Sequence, residues 1–202
     1  MLTGNKISSL VIDTLREQAC RKGVVVLFFY CDRQAQKDQS AVNVIGSLLR
    51  QVALGAAGVP GEIHSAFEQS RRGAGRRLQL PDMVKLFVKT ISSIFELAYI
   101  CIDAVDELLS RDRSEFLHAV GQILREAPNT RLFITGRPHI CGEIEEHLKK
   151  GAYRINVVVN QGDIAGHLSR KMDGDGVQEV GMRTEDVKND IMKTVSEKAA
   201  EK

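Results

Sequence analysis

A short apolar run that ends in acids constrains the fold of this chain most. Residues 98–102 read Ala-Tyr-Ile-Cys-Ile, and Asp103, Asp106 and Glu107 follow within the next five positions. The run is too short for a membrane helix and is typical of a strand that is buried on both faces of a parallel sheet. Open α/β sheets bind their ligands at the carboxyl ends of the strands. The three acids are therefore predicted to lie at a ligand site.

The chemistry of these acids points to a nucleotide site. Mg²⁺ needs only one or two protein carboxylates and keeps several waters, so Asp103, at the strand end, is the predicted metal ligand. Asp106 or Glu107 is predicted to polarise the water that attacks a γ-phosphate. The alternative is that the acids cap the next helix or face solvent. The apolar residues immediately before Asp103 count against that alternative, because a buried strand that leads directly to charged side chains favours a functional role for those side chains.

Helical and strand patterns alternate along the chain, which predicts an α/β layered sheet. The strands are predicted at residues 24–30, 97–103, 131–135 and 153–159. The helices are predicted at residues 7–15, 41–52, 62–70, 81–95, 116–124, 140–150 and 163–171, with Ser40 or Asp38 as the cap of the second. We expect a core domain over residues 1–171, a Gly-rich polar linker over 172–182 and the start of a helical extension over 183–202.

A second strand with a polar exit follows the acids. Residues 132–134 read Leu-Phe-Ile, and Thr135, Gly136 and Arg137 come directly after them. An arginine at the carboxyl edge of a parallel sheet can stabilise the charge of a γ-phosphate. The alternative is an ordinary surface arginine, but its position one strand after the acids favours the functional interpretation.

Composition excludes several other classes of protein. The chain has 202 residues, 43% of them hydrophobic, and a formal net charge of +2, so bulk charge supports neither nucleic-acid nor membrane binding. Its four cysteines are scattered and form no CxxC pair, which argues against zinc and favours a reducing compartment. No signal peptide and no run of transmembrane length is present in the printed sequence, so a cytoplasmic protein is expected. The basic cluster at residues 71–77 is interpreted as a solvated loop, with a phosphate or nucleic-acid contact as the alternative.

The order of these segments resembles a known family. VVVLFFY at residues 24–30, CIDAVDE at 101–107 and LFITGRPH at 132–139 are similar to the NACHT branch of the STAND P-loop NTPases, in particular to fungal proteins with a nephrocystin-like N-terminal domain. The resemblance implies a three-layer P-loop fold, ATP and Mg²⁺ as cofactors, and an ATP-dependent switch that drives oligomerisation. It identifies Asp103, Asp106 and Glu107 with the Walker B motif and Arg137 with sensor 1. Gly136 stands where a serine is commoner.

The Walker A motif of that family, GxxxxGK[ST], is not matched. Gly4, Lys6 and Ser8 have the wrong spacing, and the first glycine is absent. A phosphate loop works through consecutive backbone N–H groups at a helix N-terminus, which a lysine cannot replace by charge alone. We keep Lys6, Ser8 and Thr135 as candidate cofactor-binding residues and expect weak nucleotide binding. We also expect an N-terminally truncated, marginally stable or partner-dependent fold, in which the first strand and the phosphate loop are missing.

Four hypotheses for the function follow. The first is a NACHT-type nucleotide-binding signalling domain that is defective in nucleotide binding. The second is an active ATPase that is completed by Lys6 or in trans by another subunit. The third is a non-enzymatic interaction module that self-associates or pairs with a full-length relative through its sheet edges. The fourth is a truncated gene product. No specific nucleic-acid or membrane partner is expected.

Overall fold

The computed structural model describes residues 4–19, 23–56, 60–72, 78–148 and 152–157. The chain divides into two compact units, Met1–Ala152 and Tyr153–Lys202, and every helix and strand described below belongs to the first. In chain order these elements are α1 (Gly4–Gln18), β1 (Val24–Tyr30), α2 (Ala41–Gly55), α3 (Gly61–Arg72), α4 (Leu80–Ile94), β2 (Leu97–Asp103), α5 (Ser110–Glu126), β3 (Thr130–Ile134) and α6 (Cys141–His147). Three short 3₁₀ turns lie at Arg33–Asp38, Val105–Glu107 and Pro138–Ile140.

The sheet is parallel and has the strand order β1–β2–β3. In its register Leu27 lies beside Ile100, and Ile100 lies beside Leu132. All three strands run as near-continuous apolar segments, which is the pattern of strands covered on both faces. The α/β fold and the three described strands predicted from the sequence are confirmed.

Helices cover the two faces of the sheet, giving three layers. Alternate residues of a strand point to opposite sides, so Phe28 and Asp103 lie on one face and Leu27 and Ile102 on the other. Helix α1 covers the first face, where the Arg16 guanidinium lies 4.7 Å from the centre of the Phe28 ring. Helices α2 and α5 contact the sheet on the second face, and α4 packs against both of them. This layering resembles that of P-loop proteins.

The hydrophobic core lies between the sheet and the layer formed by α2, α4 and α5. Its largest fully buried side chains include Leu27, Ile100, Phe87 and Phe116. Helix α2 shows how local sequence builds this layer. Ser40 accepts a hydrogen bond from the Asn43 N–H as the N-cap, and the apolar residues that follow recur at helical spacing on the buried face. Of the two predicted caps, Ser40 is therefore the residue that acts.

The predicted strand over residues 153–159 is not formed in its described part. Residues 152–157 adopt no regular structure, and the side chains of Tyr153, Ile155 and Val157 are exposed. A strand forms only where a neighbouring strand supplies hydrogen bonds, and no described strand pairs with this segment. The prediction of a strand is therefore wrong for residues 153–157.

Several other predictions fall outside the described residues. These are the last two residues of that strand, the helix at 163–171, the linker at 172–182, the extension at 183–202 and most of the basic cluster at 71–77. None of the described helices is both long enough and apolar enough to cross a membrane.

Candidate functional site

The polar residues predicted from the sequence converge at the carboxyl edge of the sheet. Because the strands are parallel and in register, Tyr30 ends beside Asp103, and Ile102 ends beside Ile134. The residues that follow the three strands therefore meet at one edge, which is where open α/β sheets bind ligands. Backbone hydrogen bonds join the strand ends: the Cys31 N–H donates to the Asp103 carbonyl at 3.0 Å, and the Thr135 N–H donates to the Ile102 carbonyl at 2.9 Å.

Asp103 is the buried centre of this edge. Its side chain is only 2% exposed. The Oδ1 atom accepts hydrogen bonds from the hydroxyls of Ser8 and, at 2.6 Å, of Thr135. The Oδ2 atom is equally buried but has no partner among the described groups. Since buried polar atoms in folded proteins are nearly always paired, this oxygen marks a place where a further group is expected.

Ser8 reaches the site from the helix that covers the sheet. It lies in the second turn of α1 and is 1% exposed, and its single hydroxyl proton is directed to Asp103. The structure therefore brings the predicted cofactor-binding residue Ser8 to the predicted metal ligand. Lys6 belongs to the same helix, because residues 4–8 are helical rather than a loop that wraps phosphates. The position of the Lys6 side chain lies outside the described atoms, so its role stays a prediction.

Asp106 and Arg137 form a pair at the same edge. The Asp106 Oδ1 atom accepts the Arg137 N–H at 3.2 Å, and its Oδ2 atom lies 3.3 Å from the Arg137 Nε atom. The Asp106 side chain is 7% exposed and that of Arg137 is 50% exposed. Asp106, one of the two acids predicted to polarise a water, and Arg137, the predicted phosphate-sensing arginine, thus form an ion pair.

Glu107 is bound to the loop that follows β1. Its Oε2 atom accepts the Arg33 N–H at 2.9 Å, and its backbone carbonyl accepts the Gln36 side-chain amide at 2.6 Å. These bonds fasten the turn after β2 to the 3₁₀ turn after β1. Gln36 was not predicted from the sequence, since nothing local indicates which residue it contacts. The three acids therefore have three different sets of partners, although they follow one strand.

A comparison with protein-family models gives the family. The model described as nephrocystin 3, N-terminal, matches residues 6–137, which is more than half of the chain. This chain belongs to the nephrocystin 3 N-terminal family. The match includes every candidate site residue from Lys6 to Arg137. No curated protein matches the chain.

Cys31 is a site residue of this nephrocystin 3 N-terminal domain that sequence reasoning missed. Burial is the main cause that raises the pKa of its thiol from 9.0 to about 12, and the negative charges of Asp103, Glu107 and Asp106 raise it further. A thiol with a pKa raised in this way stays protonated at physiological pH, which is the form that is a poor nucleophile. The position of Cys31 directly after β1 could have indicated this from the sequence, because the carboxyl end of β1 lies at the same sheet edge as Asp103.

The oxygen atoms at this edge of the nephrocystin 3 N-terminal domain are suitable for a magnesium ion that takes most of its ligands from phosphates and water. Within the described part of the chain, no three His, Cys, Asp or Glu side chains are grouped so as to hold a metal. Mg²⁺ in phosphate sites needs only one or two protein oxygens, with phosphates and water supplying the rest. The unpartnered Oδ2 atom of Asp103 and the adjacent Ser8 hydroxyl, which keeps two lone pairs, are suitable donors.

Proposed function

We propose that this nephrocystin 3 N-terminal domain is a NACHT-type nucleotide-binding domain of a signalling protein, with Asp103 as its magnesium ligand. The observation that carries the proposal is the buried, unpartnered Oδ2 atom of Asp103 at the carboxyl edge of a parallel sheet. A buried carboxylate with one open oxygen is costly unless a ligand completes it. The motif resemblance of CIDAVDE to a Walker B segment supports the same assignment.

The surrounding residues have distinct parts in this proposal. Asp103, assisted by Ser8, would hold Mg²⁺, which neutralises phosphate charge when it is bound. Arg137 is a cation that a terminal phosphate could bind, because its guanidinium is half-exposed and meets Asp106 through the Nε atom. Glu107 uses its Oε2 atom to accept the Arg33 N–H, so Oε1 is the oxygen that would orient a water.

We further propose that this chain binds nucleotide weakly. Gly4, Lys6 and Ser8 do not have Walker A spacing, and residues 4–8 are helical. The backbone N–H groups of a phosphate loop supply much of the affinity for a nucleotide triphosphate, whereas Asp103 addresses only the metal. At a ligand concentration equal to Kd the stabilisation is about 0.4 kcal/mol, or a rise in Tm of about 1 °C for a chain of this size.

Two measurements test the proposal. Titration with Mn²⁺, followed by the electron paramagnetic resonance signal of the free ion, should show binding to the wild-type chain and its loss in Asp103→Asn. Equal binding by both chains, or none by the wild type, contradicts the assignment of Asp103. A rise in Tm of several degrees with Mg-ATP that Asp103→Ala abolishes would overturn weak nucleotide binding. Phosphate release that Glu107→Gln abolishes would favour the active ATPase instead.

A further inference from the structure

Thr135 directs all of its polar groups to the segment that carries Asp103. Its N–H donates to the Ile102 carbonyl, and its own carbonyl accepts the Val105 N–H, both at 2.9 Å. Its hydroxyl accepts the Ala104 N–H at 2.9 Å and donates its single proton to Asp103 Oδ1 at 2.6 Å. One residue at the end of β3 therefore binds four consecutive residues at the end of β2.

The turn that Thr135 binds has an unfavourable backbone conformation. Ala104 has φ 54° and ψ 47°, and it is the one described residue other than glycine with positive φ. A non-glycine residue in this left-handed region costs about 1 kcal/mol or more. The hydrogen bonds from Ala104 and Val105 to Thr135 offset that cost. The left-handed residue redirects the chain immediately after Asp103 and so determines where Asp106 and Glu107 lie.

The two strand ends lie close together at the next position, Gly136, where a side chain would require its neighbours to shift. A Cβ atom on Gly136 would lie 2.7 Å from Ile140 Cδ1 and 3.2 Å from Val105 Cγ1. Glycine at this position allows the chain after Thr135 to lie against the turn after β2.

The hydroxyl protons at the site select one oxygen of Asp103. Ser8 and Thr135 both donate to Oδ1, and neither has a second proton to give. Oδ2 is consequently the oxygen left for an outside group. A Thr135 hydroxyl that is committed in this way has no proton to donate to a phosphate, which argues against the direct cofactor contact expected from the sequence.

We propose that Thr135 is a positioning residue that orients Asp103 for metal binding by holding its Oδ1 atom and the left-handed turn that follows. This inference rests on the proposed function, because it takes Asp103 as the metal ligand. Outer partners that orient a metal ligand typically change metal affinity by tenfold to a hundredfold when they are removed. The effect requires the hydroxyl and not merely the shape of the side chain.

Substitutions at two threonines of the same chain segment test this role. Thr135→Val keeps the shape and removes the hydroxyl, and it should raise the dissociation constant for Mn²⁺ about tenfold. Thr135→Ser restores the hydroxyl and should bind Mn²⁺ within about twofold of the wild type. Thr130→Val is the matched control, because the Thr130 hydroxyl is buried on the same strand without a described partner. Its Mn²⁺ affinity should equal that of the wild type.

The possible results separate the two proposals. Wild-type affinity in Thr135→Val, or equal weakening by Thr135→Val and Thr135→Ser, overturns the positioning role while leaving the metal site intact. Equal weakening by Thr135→Val and Thr130→Val means that general destabilisation of β3 is responsible, which also overturns it. Absence of Mn²⁺ binding by the wild-type chain, or binding that survives Asp103→Asn, overturns the proposed function and this inference with it.

Discussion

The same substitution at two neighbouring acids, Asp103→Asn and Asp106→Asn, should change stability in opposite directions. Asp103 buries a carboxylate of which one oxygen has no described partner. Asp106 instead uses both of its oxygens to bind Arg137. Asparagine has nearly the same shape as aspartate, but it removes the charge and replaces one acceptor oxygen by an NH₂ donor. The two variants therefore compare the effect on stability of a buried carboxylate without a cationic partner with that of a carboxylate paired with Arg137.

The structure sets the expected size of each effect. Burying an ion costs several kcal/mol, and Asp103→Asn relieves most of that cost. Against this, the two hydrogen bonds from Ser8 and Thr135 lose their charged acceptor, at about 1 kcal/mol each. The NH₂ group that replaces Oδ2 is also a buried donor without a described partner, which costs about 1 kcal/mol or more. The expected net gain in the free energy of unfolding is therefore up to about 1 kcal/mol.

The loss in Asp106→Asn should be smaller. Its partner Arg137 is half-exposed, so solvent screens the ion pair. We expect a decrease in the free energy of unfolding of about 0.5 to 1 kcal/mol. The hydrogen bond from the Arg137 N–H is expected to survive, because the amide oxygen of asparagine can accept it.

Urea unfolding in EDTA, followed by far-ultraviolet circular dichroism, measures both variants against the wild type. Each kcal/mol corresponds to roughly 2 to 4 °C in Tm for a chain of this size, which gives an independent check. The m-values should not change, because neither variant alters the surface exposed on unfolding. A loss of more than about 1 kcal/mol in Asp103→Asn, or changes of the same sign in both variants, would refute the reasoning, since Oδ2 would then have a stabilising partner.

Three further outcomes follow from particular contacts. Gly136→Ser should lower the free energy of unfolding by no more than about 1 kcal/mol in urea unfolding, because its Cβ would meet the movable end of the Ile140 side chain, and a loss of more than about 2 kcal/mol contradicts this. Peptide mapping after iodoacetamide treatment at pH 8 should find Cys31 unmodified in the folded chain. Because burial raises the pKa of its thiol from 9.0 to about 12, the contribution of Cys31 to stability is complete below pH 9 and is lost between pH 9 and about 12. Cys31→Ala should lack this loss of stability. Gln51→Ala should lower the free energy of unfolding by about 1 to 3 kcal/mol in urea unfolding, since the Gln51 amide binds both the N–H and the carbonyl of Phe28 on the outer edge of β1. Gln51→Glu keeps only the bond to the N–H, so its free energy of unfolding should lie between those of Gln51→Ala and the wild type.

Most of the fold could be predicted from local patterns. The apolar runs of β1, β2 and β3 and the helical spacing in α2, α4 and α5 were sufficient to place these elements within a few residues. Their order along the chain then predicted a layered parallel sheet. The pattern was insufficient at Tyr153–Val157, where alternating apolar residues form no strand in the described structure. A strand depends on a neighbour, and a neighbour is not a property of the segment itself.

The candidate site was predicted in part. Sequence position placed Asp103 and Thr135 at strand ends, and the parallel register explains why they meet. Sequence reasoning did not predict that Asp106 binds Arg137, that Glu107 binds the loop after β1, or that Cys31 lies among these charges. Each of these contacts depends on which side chains the turn after β2 directs to which neighbour.

The sequence by itself determined the strands, the helices and the concentration of acids after one buried strand, because hydrophobic periodicity and charge are local properties. Only the tertiary structure decided how those acids are used. Ser8 and Thr135 lie 95 and 32 positions from Asp103 along the chain, yet both donate to the same oxygen. The packing of α1 on the sheet and the register of β3 bring them there, and the left-handed turn at Ala104 separates Asp103 from the other two acids. These long-range contacts determine which residues bind each of the three acids, and no local sequence pattern specifies them.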